Sequence, residues 1–78
     1  MDTGTNLNDE SIKIELTSRE LEILRLLVKG YRNQQIAAEL HISEACVRFH
    51  LKEIYSRTGI DSRTGLVVWA IQNVFIDN

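Results

Sequence analysis

The chain has 78 residues, a single cysteine and a net charge of −2, which confines it to one small domain with a thin core. Cys46 alone excludes disulfide stapling and points to a reducing, cytoplasmic setting. No apolar run approaches the roughly 18 residues of a membrane span, and the polar start MDTGTNLNDESIKIE lacks a signal peptide's basic head and apolar centre. The charge is uneven. Residues 1–15 sum to −3, residues 16–60 to +2 with seven cations against five glutamates, and residues 61–78 to −1. A mildly basic middle between acidic ends would bind DNA weakly as a monomer, because the phosphate contribution grows with the number of contacts.

Residues 1–15 carry few apolar side chains and are expected to be a disordered tail or linker, although Ile12, Ile14 and Leu16 alternate as a short extended lead-in would. The domain proper is expected over 16–76. Thr17 and Glu20 form a capping box that opens a first helix over about 18–29. Leu21, Ile23, Leu24, Leu26, Leu27 and Val28 supply its apolar stripe, and Gly30 ends it. Asn33 is the expected cap of a second helix over about 34–40, with Ile36, Ala37 and Leu40 facing inward. The small Ala37 lets two helices cross closely through the turn His41-Ile42. Ser43 caps a third helix over about 44–58 whose buried side is Val47, Leu51 and Ile54, and Gly59 closes it. A fourth helix, about 63–74, carries Val67, Ala70, Ile71 and Val74 as a core stripe. Gly65, Val68, Trp69 and Gln72 lie on another side, expected to meet a second copy of the chain in preference to being lidded by the tail.

Helix three presents Glu44, Ala45, Arg48, Phe49, Lys52 and Ser56 away from its buried side. An aromatic between an arginine and a lysine suits a recognition helix in the major groove. Arginine bonds guanine O6 and N7 in a fork, lysine reaches a base edge or a phosphate, and an apolar group meets a thymine methyl. The expected base-facing set is therefore Ala45, Arg48, Phe49 and Lys52. Backbone anchors are expected from Thr17, Arg32, Asn33, Gln34, Gln35 and Ser43 near helix starts, with His50 at the core edge or on a phosphate. A plain solvated face with one stray aromatic is the competing reading, and capping alone would explain Thr17, Asn33 and Ser43.

The stretch LTSRELEILRLLVKGYRNQQIAAELHISEACVRFHLKEIYSRTGIDSRTGLVVWAI resembles the DNA-binding domain of LuxR-type (LuxR/FixJ, GerE-like) transcription regulators over about residues 16–76. The carrying motifs are L-T-x-R-E, K-G, N-x-x-I-A, I-S-x-x-x-V-R-x-H and S-R-T, in order. The resemblance implies an all-α, four-helix fold, winged-helix-like but without a wing, that binds double-stranded DNA as a homodimer through its fourth helix. It implies base contacts at Arg48, Phe49 and Lys52 and phosphate contacts near Thr17, Gln35 and Ser43. It further implies RNA polymerase and an upstream receiver or sensor domain as partners. Several positions depart from the family pattern. Cys46 replaces threonine, Ala45 a frequent lysine, and Thr58 a core leucine; Phe49 is larger than usual; Leu66, Val68 and Trp69 make helix four bulkier.

No cofactor or metal is expected. His41 and His50 have no second ligand pair at zinc spacing, Cys46 reads as a small, partly buried residue rather than a redox switch, and Glu20 and Glu22 do not form a catalytic pair. The resemblance, which brings helix one close to the start of helix four, implies Arg63 as a further partner for Glu20 beside its place in the capping box. An enzyme is disfavoured for want of a phosphate loop or a nucleophile–base pair. The alternative to a regulator is a sigma-region-4-like or protein-interaction helical module; the apolar fourth helix favours the regulator.

Overall fold

Four capping signals divide the chain, and the computed structural model, which describes residues 14–76, places four α-helices between them: α1 (Ser18–Val28), α2 (Asn33–Leu40), α3 (Glu44–Thr58) and α4 (Arg63–Asn73). The described residues contain no strand. The readings on residues 1–13, including Ile12 of the lead-in and the tail as a lid, lie outside the described residues.

Three of the four helices begin where a short polar side chain satisfies an orphan amide. Thr17 Oγ1 accepts from the Glu20 amide at 3.1 Å while the Thr17 amide donates to Glu20 Oε1 at 3.0 Å, completing the box. Ser43 Oγ accepts from the Cys46 amide and Ser62 Oγ from the Gly65 amide, each at 3.0 Å. The expected role of Asn33 is corrected: the cap of α2 is Arg32, and Asn33 is already helical. The Arg32 amide instead donates to Gln35 Oε1 at 2.8 Å, so the third residue of the helix does the capping. α1 and α3 are followed by left-handed residues at Gly30 (φ +93°) and Gly59 (φ +76°), and after α2 the left-handed position is His41 (φ +59°). That conformation costs a non-glycine residue about 1 kcal/mol. It is held here by the Ile42 amide donating to the Ala37 carbonyl at 3.0 Å, which folds the chain sharply into α3.

Ile23, Leu24, Ile36, Val47, Ile54 and Leu66 are wholly enclosed, with Leu26, Leu27, Ala37, Leu51 and Ala70 completing one core. At about 1.5–3 kcal/mol per fully buried aliphatic side chain, this cluster is the main source of stability. α1 is the hub, touching all three other helices; α2 packs most closely on α3, and α4 rests chiefly on α1. The face of α4 differs from expectation. Leu66 and Ala70 are its buried residues, Val67, Trp69 and Val74 are half-buried, and Ile71 is 46% exposed beside Val68 at 47%. Leu66 joins Ala70 in the core in place of Ile71, and Trp69 packs partly against it.

Among the described residues one polar side chain is buried, the Glu20 carboxylate at 3% exposure. Its partner is Arg57 at the end of α3, not Arg63. Arg57 also donates through Nη1 to the Glu15 carbonyl at 2.8 Å, tying the lead-in and α1 to α3. Arg63 instead donates to Asn33 Oδ1 at 2.9 Å and to the Tyr31 carbonyl at 3.0 Å. The tetrapeptide S-R-T-G occurs twice, at Ser56 and Ser62, and each arginine makes a tie to a different helix start. In helical register the earlier one alone faces α1.

Candidate nucleic-acid interface

α3 follows directly from the His41 turn, and Val47, Leu51 and Ile54 bury one side of it while the opposite side is open. Ala45, Arg48, Phe49 and Lys52 are all exposed, Phe49 by 57%. A phenylalanine left this open has lost the roughly 1.5–3 kcal/mol that burial would give. Its ring meets the half-buried His50 ring edge-on, with centroids 5.5 Å apart. Arg48 Nη1 stands 3.4 Å from Glu44 Oε2 one turn back, both largely exposed. Such a pair is worth well under 1 kcal/mol and yields readily to a better acceptor.

Alongside this face runs an open depression of about 260 Å³ lined by Asn33, Arg48, Leu51, Lys52, Tyr55 and Arg63. Three of the expected site residues, Asn33, Arg48 and Lys52, are thus brought together on one wall system. Two others that were not singled out as site residues, Tyr55 and Arg63, share it. The signal for Arg63 was the second S-R-T-G; nothing in the pattern pointed to Tyr55, which reads as an ordinary helical residue.

The other expected anchors sit at helix starts with their polar atoms already engaged: Thr17 and Ser43 as caps, Gln35 on the Arg32 amide. Arg32 is exposed. On α4, Val68 and Gln72 are exposed, Trp69 is half-buried against the core, and Gly65 is half-buried. A Cβ at Gly65 would come within 2.8 Å of Ser62 Oγ and 3.2 Å of Ile60 Cγ2. Among the described residues, no group of three or more His, Cys, Asp or Glu could hold a metal, and no helix is long and apolar enough to cross a membrane.

Residues 15–70 match the sequence profile of the family described as "Bacterial regulatory proteins, luxR family". The chain belongs to the luxR family. Relatives of this luxR-family domain include the response regulator protein VraR of Staphylococcus aureus and of Staphylococcus epidermidis, each 44% identical over 61 residues, covering 78% of this chain and 29% of the relative. Among solved structures, the response regulator ChrA of a heme-sensing two-component system superposes with a TM-score of 0.74 at 47% identity, over 82% of this chain and 32% of that one. The chain therefore spans under a third of the length of these relatives. The all-α helix-turn-helix fold and the LuxR-type kinship expected from the motifs both hold. The family is one of DNA-binding transcription regulators, not of enzymes, and this chain corresponds to the output domain of its response regulators.

Proposed function

We propose that this luxR-family domain binds specific double-stranded DNA sequences as a pair of copies, with α3 in the major groove and α4 joining the two copies. The observation that carries the reading is the open face of α3, where Arg48, Phe49 and Lys52 stand exposed opposite the buried Val47, Leu51 and Ile54. Arg48 reads a guanine edge, Phe49 meets a thymine methyl, and Lys52 takes a base or a phosphate. Ala45 lies against the groove wall. Thr17, Arg32, Asn33, Gln35, Ser43 and His50 position the backbone, the caps using their hydroxyls and amides on both helix and phosphate. The net charge of −2 makes a single copy a weak binder, so pairing is what brings useful affinity.

The pairing surface centres on Val68 and Gln72, with Ile71 and the outer edge of Trp69 beside them; Gly65 contributes through the close approach it allows at the start of α4. The reading entails a cytoplasmic location, an upstream receiver or sensor domain that governs pairing, and RNA polymerase as the machinery acted upon. It requires no cofactor.

Replacing Arg48 by Ala should weaken binding to a selected duplex by about 1–3 kcal/mol and relax the preference at one base position. Lys52→Ala should weaken binding more evenly across sequences. Fluorescence anisotropy checks both, and unchanged affinity in folded variants would sink the assignment of α3. Val68→Glu should shift the protein toward monomer in sedimentation velocity and reduce DNA affinity. A wild type that remains monomeric both at high concentration and on DNA would exclude pairing through α4.

A further inference from the structure

Arg57 holds two acceptors at once. Through Nη2 it meets Oε2 of the buried Glu20 carboxylate, and through Nη1 it donates to the Glu15 carbonyl at 2.8 Å. The other oxygen of that carboxylate, Oε1, accepts from the Thr17 amide at 3.0 Å. The backbone entering α1 is therefore gripped at Glu15 by the arginine and at Thr17 by the glutamate, while half-buried Leu16 between them packs on the core. The two bonds of Arg57 lie in different surroundings: the one to Glu20 is partly buried, the one to Glu15 exposed. Water competes for an exposed acceptor and not for an enclosed one, so the outer tie can open while the inner pair stays closed. Only a planar guanidinium, with its donors in a fixed fork, spans both acceptors in this way.

The tie lies on a particular side of the reading helix. Arg57 follows Arg48 by about two and a half turns at 3.6 residues each, so the two side chains leave opposite sides of α3. The chain ahead of Glu15 is acidic, with Asp2, Asp9 and Glu10 against Lys13. The stretch from Glu15 back to Asp9, fully extended, reaches about 20 Å, and the 15 residues of α3 span roughly 22 Å. The carboxylates of Asp9 and Glu10 are thus within range of Arg48 and Lys52 whenever the entering backbone is directed toward them.

We propose that Arg57 is a positioning residue for DNA binding. By holding the Glu15 carbonyl on the far side of α3, it directs the acidic segment ahead of α1 away from Arg48 and Lys52. Release of the tie lets that segment compete with DNA for the reading face. Anything upstream that displaces the backbone at Glu15 then weakens DNA binding without disturbing the four helices. The consequence for DNA rests on the binding function proposed above; the tie itself does not.

The test uses the full chain and Arg57→Lys, which keeps a cation on Glu20 but has no fork to reach the carbonyl as well. Titrated against a duplex selected from random DNA, Arg57→Lys should bind several-fold more weakly at low salt, and the deficit should vanish at high salt, where the competing carboxylates are screened. Adding Asp9→Asn and Glu10→Gln should restore the affinity of Arg57→Lys and change that of wild type much less. A purely structural defect would not respond to charges so far along the chain. Absence of rescue, or an equal gain in both backgrounds, would overturn the proposal and leave Arg57 to structure alone. A second readout needs no DNA. A nitroxide on Asn8→Cys, in a Cys46→Ser background, should leave the amide signals of Arg48 and Lys52 sharp when Arg57 is present and broaden them in Arg57→Lys. Equal broadening in the two would overturn the steering. If wild type bound no duplex at all, the DNA reading would fall and this consequence with it, and the label would still report separately whether the tie directs the segment.

Discussion

Ile54→Ala should remove a large part of the stability of the domain. Ile54 is wholly enclosed in the last half of α3, inside the cluster shared with α1, so truncation leaves a cavity that a domain this thin has few side chains to fill. Aliphatic-to-alanine changes at such sites cost about 2–5 kcal/mol. Total stability for a chain of this length is roughly 4–12 kcal/mol. The melting temperature should fall by more than about 10 °C, given 4–8 °C per kcal/mol in a domain of this size. Urea unfolding followed by circular dichroism measures the loss directly, and a cost below 1 kcal/mol would mean that the α1–α3 contact is not the principal store of stability.

Glu20→Gln should be the most costly polar change, and its cost should depend on pH. Burial of the carboxyl resists ionisation, but the hydrogen bond from Arg57, the Thr17 amide and the Arg57 charge outweigh it and hold the Glu20 pKa below the usual carboxylate value. Arg57 is in turn held more firmly protonated, first of all by its hydrogen bond to Glu20. A carboxylate whose pKa is depressed in the folded state stabilises that state fully above its unfolded pKa, near 4.3. The contribution is lost as pH falls through the lower folded value. Hydrogen bonds to charged groups contribute about 1.5–3 kcal/mol, and exposure of Arg57 places the expected loss at pH 7 toward the lower end. The gap between wild type and Glu20→Gln should stay constant from pH 8 to about 5 and close as acid is added below about 4. A gap that persisted unchanged at the lowest pH would show that packing, rather than charge, is what Glu20 supplies.

Most of the architecture was legible because small domains of this kind advertise their helix ends. Thr17, Ser43 and Ser62 are short oxygen-bearing residues immediately before apolar periodicity, and each does cap a helix. Asn33 misled because asparagine is an excellent cap; what decided otherwise was Gln35, whose side chain reached back to the Arg32 amide one residue earlier. The rotation of α4 was hidden in its sequence because Leu66, Val67, Val68, Trp69, Ala70 and Ile71 are all apolar. Periodicity cannot orient a helix that is apolar on every side. The partner of Glu20 was unreadable for a different reason: two arginines in identical tetrapeptides were available, and only the tertiary crossing of α1 and α3 selects Arg57 over Arg63. For the α3 face, exposure of Arg48, Phe49 and Lys52 followed directly from the 3.6-residue repeat, whereas the depression at its flank depends on how three helices pack together.

The arrangement of α4 has a geometric consequence. Because it lies chiefly on α1, and α1 also carries α3, the distance and angle between a joining helix and a reading helix are fixed by one rigid strut. In a two-fold assembly built through α4, that strut acts as a ruler. It sets how many base pairs separate the two half-sites, whatever bases Arg48 and Lys52 prefer. Substitutions in the seam of α1 with Leu66 or Ala70 would then retune operator spacing while leaving the half-site sequence untouched.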